Sequence, residues 1–500
     1  MNKYANKVAA MLIAAALGAT SVPYAAVRVQ AAEASPAAVA ASISTSDTVI
    51  RAAIESLLRL GILDGYEDNS IRENQPVSRA ELAKMTAMTF NLKHSANATA
   101  LTDVDPNAWY RSYASDMVAL ELMQADSGRF EPQATVSGEE LVQIVAKALK
   151  RDVMSVRHWL SGYGSPDRAV TRGEVALLLS QAHQAIPSAE ARITSVKSLN
   201  AIALLVTFDA PLTADDELFA KAKEDFVFND GLTLTNLPRL KTGSIASYIV
   251  PTSVQKPDVT YSLTYKGSPS GSFQGSSAKI DMTEARQVTN DTFQLESLRS
   301  AGVADYGYMI AAYSAGRGAY AFITDDNLSA DGKTYQVISS MQARQVTITP
   351  QGGQPITAAY VPFTQSTDGR QLPKFRLPQG QTLTPGVSYT VTSDWSTIAN
   401  PTFTAKTIEP LKLTSAKALG ETSLQVSLAE DPGDELFAGR SVELTSPDGD
   451  KLSATYRYSS RAGTDGVFDV QQHGKLKAGT TYTVTPVGNW ADGTATFSAP

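Results

Sequence analysis

At two places in the chain, an arginine directly follows a helix-capping residue and could bind an anion there. The two segments are Ser78-Arg79-Ala80-Glu81 and Thr171-Arg172-Gly173-Glu174. In each, the hydroxyl residue can cap a helix, while the glutamate accepts a hydrogen bond from the backbone N–H of the cap. Helix formation does not explain the arginine, because a cation in the first turn faces the positive end of the helix dipole.

Arg79 and Arg172 could therefore bind a carboxylate or a phosphate. A guanidinium binds either group through two parallel hydrogen bonds, and free backbone N–H groups at the start of a helix add to the attraction. The alternative is that each arginine is an ordinary solvated side chain. The residues alone leave both interpretations open.

No arrangement of residues in the sequence is typical of an enzyme. The histidines are scattered, without the spacing of a metal site, at His94, His158, His183 and His473. Ser276–Lys279 and Lys241–Gly243 fit two motifs of penicillin-recognising enzymes, but in reversed order and without the third motif. We therefore predict no catalytic residue and no enzymatic activity.

Acidic clusters occur at several turns, among them Asp215–Glu217, Asp325–Asn327, Asp431 with Asp434, and Asp448 with Asp450. None fits an EF-hand loop, and aspartate is common in turns for reasons of local backbone geometry. We predict no metal site and no cofactor, with calcium at domain junctions as the alternative.

A repeated helical unit surrounds the two arginines. A third capping box, Ser137 with Glu140, also precedes an apolar run. Ahead of the first box, apolar residues recur with helical spacing from Ile50 to Leu60 and the pattern ends at Gly61. The unit is a helix, a polar loop and a capped helix, and it is present three times.

These units resemble the repeats of the S-layer homology family. The family repeat runs roughly Phe-x-Asp-Val, Trp-Ala, an apolar helix ending in Gly-Ile, Gly-Tyr-x-Asp-Gly-x-Phe-x-Pro, then Thr-Arg-Ala-Glu and a second helix. The matching elements here are Gly65-Tyr66, Asp103-Val104, Trp109 and the capping boxes. The resemblance covers about residues 45 to 186.

The resemblance implies a trefoil of helical pseudo-repeats that binds a secondary cell-wall polysaccharide attached to peptidoglycan. This polymer often carries pyruvylated N-acetylmannosamine, whose carboxylate supplies an anion. The residues nominated for glycan contact are Arg79, Arg172, Trp109, Asp103, Gly65 and Tyr66. The residues nominated as helix-capping support are Ser78, Glu81, Ser137, Glu140, Thr171 and Glu174.

The three repeats are unequal. The second has Gly138 where the others have arginine, and the first lacks the Asp-Val and Trp elements. The third is short, with its first helix confined to residues 153–160 and its loop to residues 162–169. We expect one or two binding grooves, and Trp109 as a packing aromatic remains an alternative.

The beginning of the chain is typical of a secretory signal. Lys3 and Lys7 precede an Ala-rich apolar stretch, and small residues near Ala31 suit cleavage. Gly18 and Pro23 make this stretch a poor membrane span, and no later apolar run is long enough. We predict export and no membrane span in the mature protein.

Composition agrees with an exported protein of several domains. The 500 residues include no cysteine, so the cores must form without disulfides, which a hydrophobic content of 43% permits. The net charge is -7, and no Lys/Arg-rich run is present. We therefore predict no nucleic-acid partner.

After about residue 190 the pattern changes from helical to strand-like. Thr260–Tyr265 alternates with a period of two, and turn residues separate such runs. Leu383–Thr392 closely resembles Leu476–Thr485, and each leads to a tryptophan, Trp395 or Trp490. The repeat distance suits immunoglobulin-like β-sandwiches.

We predict a multidomain chain in which an α-helical trefoil of S-layer homology repeats is followed by all-β sandwiches. The predicted segments are a signal peptide (1–32), a linker (33–44), repeats at 45–95, 96–150 and 151–187, and sandwiches at 190–283, 284–408 and 409–500. The third repeat is shortened, and the middle sandwich contains an insertion.

The predicted function is a non-catalytic structural protein of the surface layer of a Gram-positive-type bacterium. The repeats would attach it non-covalently to the cell wall, and the sandwiches would self-assemble or act as spacers. The alternative is a wall-anchored adhesin whose sandwiches hold a glycan or a protein partner.

Overall fold

The computed structural model describes residues 47–93, 100–163, 165–298, 302–306, 334–362 and 370–500. The predicted signal peptide and linker lie outside the described residues, as does the acidic cluster at residues 325–327. Within the described residues, no helix is both long enough and apolar enough to cross a bilayer.

Six helices form the N-terminal part of the described chain. They are α1 (Thr48–Arg59), α2 (Arg79–Thr89), α3 (Arg111–Ala119), α4 (Gly138–Leu149), α5 (Val153–Trp159) and α6 (Arg172–Gln184). Asp47 caps α1 by accepting from the backbone N–H of Val49 and Ile50, at 2.9 and 3.0 Å. The apolar faces of the six helices share one hydrophobic core.

The first β-unit consists of two sheets with a short helix. Its elements are β1 (Ile193–Asn200), β2 (Ala203–Phe208), α7 (Phe219–Asp225), β3 (Phe226–Phe228), β4 (Arg239–Leu240), β5 (Ser247–Pro251), β6 (Thr260–Tyr265) and β7 (Ser268–Gln274). The strand orders are β1-β2-β5-β4 and β3-β6-β7. Their facing side chains form a separate core, as expected for a sandwich.

The second β-unit contains eleven described strands. They are β8 (Ile280–Gln287), β9 (Thr292–Leu298), β10 (Val303–Asp305), β11 (Gln336–Ile338), β12 (Gln345–Pro350), β13 (Ile356–Val361), β14 (Arg370–Gln371), β15 (Lys374–Arg376), β16 (Ser388–Thr392), β17 (Ser396–Asn400) and β18 (Thr402–Thr404). Nine form one sheet, and β10 pairs with β11 in parallel. The predicted boundary at residues 283/284 falls inside β8, which pairs with β9 and β17.

The third β-unit is one sheet of eight strands. Its elements are β19 (Leu411–Gly420), β20 (Ser423–Leu428), α8 (Asp434–Phe437), β21 (Ser441–Thr445), β22 (Lys451–Tyr456), β23 (Asp465–Val470), β24 (Thr481–Pro486), β25 (Ala491–Asp492) and β26 (Ala495–Ser498). The strand order is β25-β19-β20-β23-β22-β21-β24-β26, and each strand is hydrogen-bonded to the next, so all eight strands belong to one continuous sheet.

Each β-unit contains a tyrosine whose hydroxyl accepts a hydrogen bond from a backbone N–H five residues upstream. The donors and acceptors are Lys256 with Tyr261, Thr384 with Tyr389, and Lys477 with Tyr482. This arrangement is the tyrosine corner of immunoglobulin-like Greek-key domains. The predicted fold class, a helical segment followed by β-sandwich domains, is confirmed.

Candidate functional site

The three capped helices of the trefoil meet at a ring of backbone hydrogen bonds. Val77 donates to the carbonyl of Val170 at 3.1 Å, Val170 to Val136 at 2.9 Å, and Val136 to Val77 at 3.2 Å. The three valine side chains are buried. The ring closes on itself, so it fixes the starts of α2, α4 and α6 relative to one another.

The first backbone N–H groups of these helices are already paired. Arg79 N donates to Ala134 O at 2.9 Å, and Arg172 N donates to Gln75 O at 2.9 Å. The next residue of each helix likewise donates to a carbonyl of another repeat. The expectation of free N–H groups beside each arginine is therefore wrong, because these donors hold the repeats together.

The predicted capping boxes at Ser78 and Thr171 are present. In both, the hydroxyl accepts from the third helical N–H while the glutamate, Glu81 or Glu174, accepts from the backbone of the cap. Ser137 accepts from the Glu140 N–H at 3.1 Å. The box there is incomplete, because the Glu140 carboxylate pairs with Arg79 of the first repeat instead.

Each capping-box glutamate forms an ion pair with an arginine, which belongs either to another repeat or to the same repeat. Arg79 pairs with Glu140, and Arg172 pairs with Glu81 at 3.3 Å. The second repeat has Gly138 at the equivalent position, where no side chain can make the pair. Glu174 instead pairs with Arg168 from the loop of its own repeat. Arg168 thus supplies the charge that the missing arginine would have given.

The side chain of Arg79 is enclosed by the protein. Its Nε donates to Phe130 O at 2.8 Å and its Nη2 to Gln124 O at 2.6 Å, while Nη1 binds Glu140. The guanidinium also lies 4.9 Å from the centre of the Phe130 ring. All three nitrogens are therefore committed to contacts between the first two repeats.

Asp103 lies beside this arrangement and shapes the loop after α3. Its carboxylate accepts from Phe130 N at 2.8 Å and from Glu131 N at 2.7 Å. Burial acts to raise the pKa of the Asp103 carboxyl, but these two hydrogen bonds outweigh it and lower the pKa. Asp103 therefore remains a carboxylate that positions Phe130 for contact with Arg79.

Four of the six nominated residues line one groove. We call it the Trp109 groove; its cavity measures about 180 Å³, and it is lined by Ile62, Asp64, Gly65, Tyr66, Glu81, Lys84, Met85, Trp109 and Arg172. Tyr66 comes from the first repeat, Trp109 from the second and Arg172 from the third. Arg79 and Asp103 are not among the lining residues.

Arg172 forms the inner end of the Trp109 groove. Its Nη2 donates to Asp64 O at 2.7 Å, Nη1 donates to Glu81, and the guanidinium lies 4.9 Å from the Tyr66 ring centre. Its side chain is only 9% exposed, and its Nε is buried without a hydrogen-bond partner among the described residues. Unlike Arg79, it retains donor capacity.

Tyr66 and Glu81 are coupled inside the groove. The Tyr66 hydroxyl donates to Glu81 Oε1 at 2.7 Å. Burial, followed by this hydrogen bond, raises the pKa of Tyr66. Burial acts to raise the pKa of Glu81, but hydrogen bonds from Tyr66 and Ser78 and the charge of Arg172 lower it overall. The groove therefore carries a carboxylate and a neutral phenol at neutral pH.

Trp109 forms the outer wall. Its side chain is 57% exposed, so the alternative of a core aromatic is wrong. The Lys84 ammonium lies 6.0 Å from the centre of the Trp109 ring and 2.7 Å from Asp64 Oδ2. Lys84 and Asp64 were not nominated from the sequence, because neither belongs to the capping boxes or to the Gly65-Tyr66 element that carried the nominations.

A second, smaller groove of about 140 Å³ lies between α4 and α5. Its arginine, Arg157, binds both carboxylate oxygens of Glu139 at 2.8 and 2.9 Å. Tyr163 lines it in place of Tyr66, and Gly138 stands where an arginine would be. This groove therefore lacks the inner cation of the Trp109 groove.

The acidic clusters proposed for calcium are largely paired with lysine or arginine. Asp216 binds Lys266 at 2.8 Å, Asp431 binds Arg461 at 2.7 Å, and Asp450 binds Lys477 at 2.7 Å. Within the described residues, no group of three or more acidic or histidine side chains is arranged to hold a metal ion.

Two segments of the chain, residues 43–83 and 100–142, match the model of the S-layer homology domain. The resemblance to this family is confirmed. The matched segments cover the first two S-layer homology repeats and include Tyr66, Arg79 and Trp109, whereas Arg172 lies outside them. The match supports a cell-surface protein of the S-layer type that is attached through these repeats.

Solved structures similar to the chain include S-layer proteins. The N-terminal part of the bacterial S-layer protein SbsC is 21% identical, with 18% of this chain and 23% of that chain covered and a TM-score of 0.15. Domains 1–6 of SbsC are 11% identical, with 90% of this chain and 72% of that chain covered and a TM-score of 0.16. The I9–I11 tandem of titin is 10% identical, with 62% of this chain and 98% of that chain covered and a TM-score of 0.18. No curated protein matches the chain.

Proposed function

We propose that the protein is anchored non-covalently to a bacterial cell wall by an anionic secondary polysaccharide held in the Trp109 groove. The observation that carries the proposal is the convergence of Tyr66, Trp109 and Arg172, one from each repeat, around a single cavity. The proposed polymer is attached to peptidoglycan, and its anionic group is a carboxylate such as that of a pyruvyl ketal.

The groove offers each chemical group that such a sugar needs. The exposed face of Trp109 can stack on a pyranose ring, while Lys84 and Arg172 supply positive charge for the carboxylate. Asp64 and Glu81 can accept hydrogen bonds from sugar hydroxyls. A net charge of -7 opposes binding to an anionic polymer at long range, so local cations must provide the attraction.

The sandwiches then extend outward from the wall as spacers or as the parts that self-assemble. The protein would then be an exported, non-catalytic component of the surface layer of a Gram-positive-type cell. Ordered sheets formed by the purified full chain in electron microscopy would support assembly. A chain that stays monomeric at high concentration would support the spacer role instead.

The anchoring proposal is tested by sedimentation of the full chain with purified cell-wall sacculi, before and after chemical removal of their secondary polysaccharide. We expect binding only before removal. Trp109→Ala and Lys84→Gln should each weaken it about tenfold, because the first removes the exposed stacking wall and the second removes one cation from a side chain that is 30% exposed.

Arg157→Gln is the matched control, since it removes an arginine that lines the smaller groove. It should leave sedimentation unchanged. Binding that persists after removal of the polysaccharide, or that is lost equally in the Arg157 variant, would contradict the assignment of the Trp109 groove.

A further inference from the structure

A row of threonines crosses the outer face of the second β-unit. Thr347 in β12 stands directly opposite Thr357 in β13 and Thr392 in β16. Val346 and Ile348 on either side of Thr347 are buried, so the threonine points away from the core. Neighbouring strands lie about 4.8 Å apart, so the three hydroxyls form a regularly spaced line.

A second row runs parallel to the first. Thr349 stands opposite Thr390, which stands opposite Thr402, and the hydroxyls of the last two are 3.2 Å apart. The two rows are separated by two residues along the strands, about 7 Å. The face therefore presents a two-dimensional grid of hydroxyl groups.

The first row forms one side of a groove between the first and second β-units. This threonine groove has a volume of about 710 Å³, and Thr233, Thr235 and Ser253 of the first unit line its opposite side. Half of its lining residues carry a hydroxyl group. Its size is within the range of pockets that enclose small ligands or short stretches of a polymer.

The two sides of the groove are held together by direct hydrogen bonds between the units. Asn236 Nδ2 donates to Ser340 Oγ at 3.0 Å, and Asn200 Nδ2 donates to Val337 O at 2.8 Å. Arg344 Nη2 donates to Ile202 O at 3.3 Å. The groove is thus formed in advance of any ligand, which lowers the entropy cost of binding.

The chemistry of the lining is that of a neutral, polar site. The Arg344 side chain is buried and donates to backbone carbonyls, and Trp395 is buried with its Nε1 donating to Gln345 O. Asp394 is the exposed charge in the lining. The Thr235 hydroxyl is buried without a hydrogen-bond partner among the described residues, so a ligand or a water molecule should complete it.

We propose that the threonine groove binds a neutral polysaccharide chain along the row Thr357, Thr347 and Thr392. Such a chain presents hydroxyls at intervals comparable to the strand spacing, and each can donate to and accept from a threonine. An anionic polymer is disfavoured by Asp394. The site is separate from the Trp109 groove and does not depend on the anchoring role.

A polysaccharide fits this surface better than a peptide strand does. Peptides commonly add to the edge of a sheet through backbone hydrogen bonds, but β12 is paired on both sides, with β13 and β16. The groove exposes side-chain hydroxyls of a sheet face instead. Recognition must therefore occur through hydroxyl groups of the ligand.

The test is affinity gel electrophoresis of the full chain with laminarin, mannan and dextran, and with polygalacturonate as an anionic comparison. We expect at least one neutral polysaccharide to retard the protein. The double variant Thr347→Val/Thr392→Val should lose at least fivefold in affinity, because valine keeps the shape and strand preference of threonine without its hydroxyl.

Thr445→Val/Thr483→Val is the matched control, since these threonines are in direct register on the third β-unit and do not line the groove. It should bind as the unchanged protein does. Failure of all three neutral polysaccharides to retard the chain would overturn the proposal. An equal loss of affinity in the control pair would also overturn it. A loss of affinity caused by Arg172→Gln would overturn it too, because it would assign the binding to the trefoil.

Discussion

Arg79 and Arg172 occupy the same position in two helices and have different surroundings. Every nitrogen of Arg79 contacts the protein, whereas Arg172 lines the Trp109 groove and its buried Nε has no hydrogen-bond partner among the described residues. An arginine with all its donors occupied gains little by binding a carboxylate, because it must first give up hydrogen bonds. We infer that Arg79 stabilises the trefoil and that Arg172 serves the ligand.

Arg79→Ala should destabilise the trefoil by about 2 kcal/mol, because it leaves the Glu140 carboxylate and two carbonyls without their donor. The measurement is hydrogen exchange of the full chain, which reports α2 and α4 separately from the sandwiches. We expect faster exchange in these two helices and unchanged exchange in the third β-unit.

The double variant Arg79→Met/Glu140→Leu is the control for this interpretation. It removes the pair as a whole and leaves no unpaired charge. Part of the protection from hydrogen exchange that Arg79→Ala loses in α2 and α4 should therefore return. If the double variant exchanges as fast as Arg79→Ala, the effect arises from lost packing of the arginine and not from the unpaired carboxylate.

At the level of elements, the second and third β-units are joined by a buried ion pair. Arg440, just after α8, donates to both oxygens of Asp291, just before β9, at 2.6 and 2.9 Å. Burial acts to raise the pKa of the Asp291 carboxyl, but the hydrogen bonds and charge of Arg440 outweigh it, and the pKa falls to about 2. The two side chains are 7% and 11% exposed, so solvent screens this pair weakly.

The ion pair should make this joint sensitive to acid. The pKa of Asp291 is lower in the folded protein than the ordinary value of 3.8. The ion pair therefore contributes to the free energy of unfolding above pH 4, and this contribution is lost as the pH falls from about 4 to 2. The loss should reach about 2 kcal/mol. Calorimetric unfolding of the full chain over this pH range measures it.

Asp291→Asn should lower the free energy of unfolding at pH 7. It should also make this free energy depend less on pH between pH 4 and 2, because the amide does not titrate. Asp431→Asn is the control: its partner is Arg461, but the Asp431 side chain is half exposed, so the change should be below about 1 kcal/mol. A pH profile that is equally steep in the Asp291→Asn variant would exclude this carboxylate as the cause.

On the scale of the whole molecule, hydrogen bonds from an arginine close each of the three joints between units. The pairs are Arg151 with Ile245 O, Arg344 with Ile202 O, and Arg440 with Asp291. At the first joint, Trp159 Nε1 also donates to Gly243 O at 2.9 Å. Together these contacts join neighbouring units, and the proposed spacer role predicts that they keep the units in fixed orientations.

Spin labels can test this stiffness, because the chain has no native cysteine. Ser112→Cys in α3 and Val227→Cys in β3 are exposed positions on either side of the first joint. Pulsed electron resonance should give one narrow distance distribution. Arg151→Ala/Trp159→Ala should broaden it, because the joint loses its arginine and indole donors.

Arg192→Ala is the control for the labelled protein, since its side chain is 85% exposed and pairs with Asp209 of its own unit. It should leave the distribution narrow. A broad distribution in the protein without joint substitutions would contradict a rigid spacer and favour a flexible one.

The amino-acid sequence determined the features that depend on neighbouring residues. A capping box requires residues three positions apart, and a helical stripe requires residues three and four apart, so Ser78, Thr171 and the six helices could be located from spacing. The similarity of Leu383–Thr392 and Leu476–Thr485 likewise predicted two equivalent strands, now β16 and β24, each with a tyrosine corner.

Tertiary structure decided what depends on residues far apart in the chain. Arg79 and Arg172 have the same local sequence, and only their distant partners, Glu140 with Phe130 and Glu81 with Asp64, distinguish a structural arginine from one that lines a groove. The threonine row likewise depends on strand register. Spacing along a chain fixes local geometry, but it does not fix which repeats or strands become neighbours, because that choice comes from packing of the whole fold.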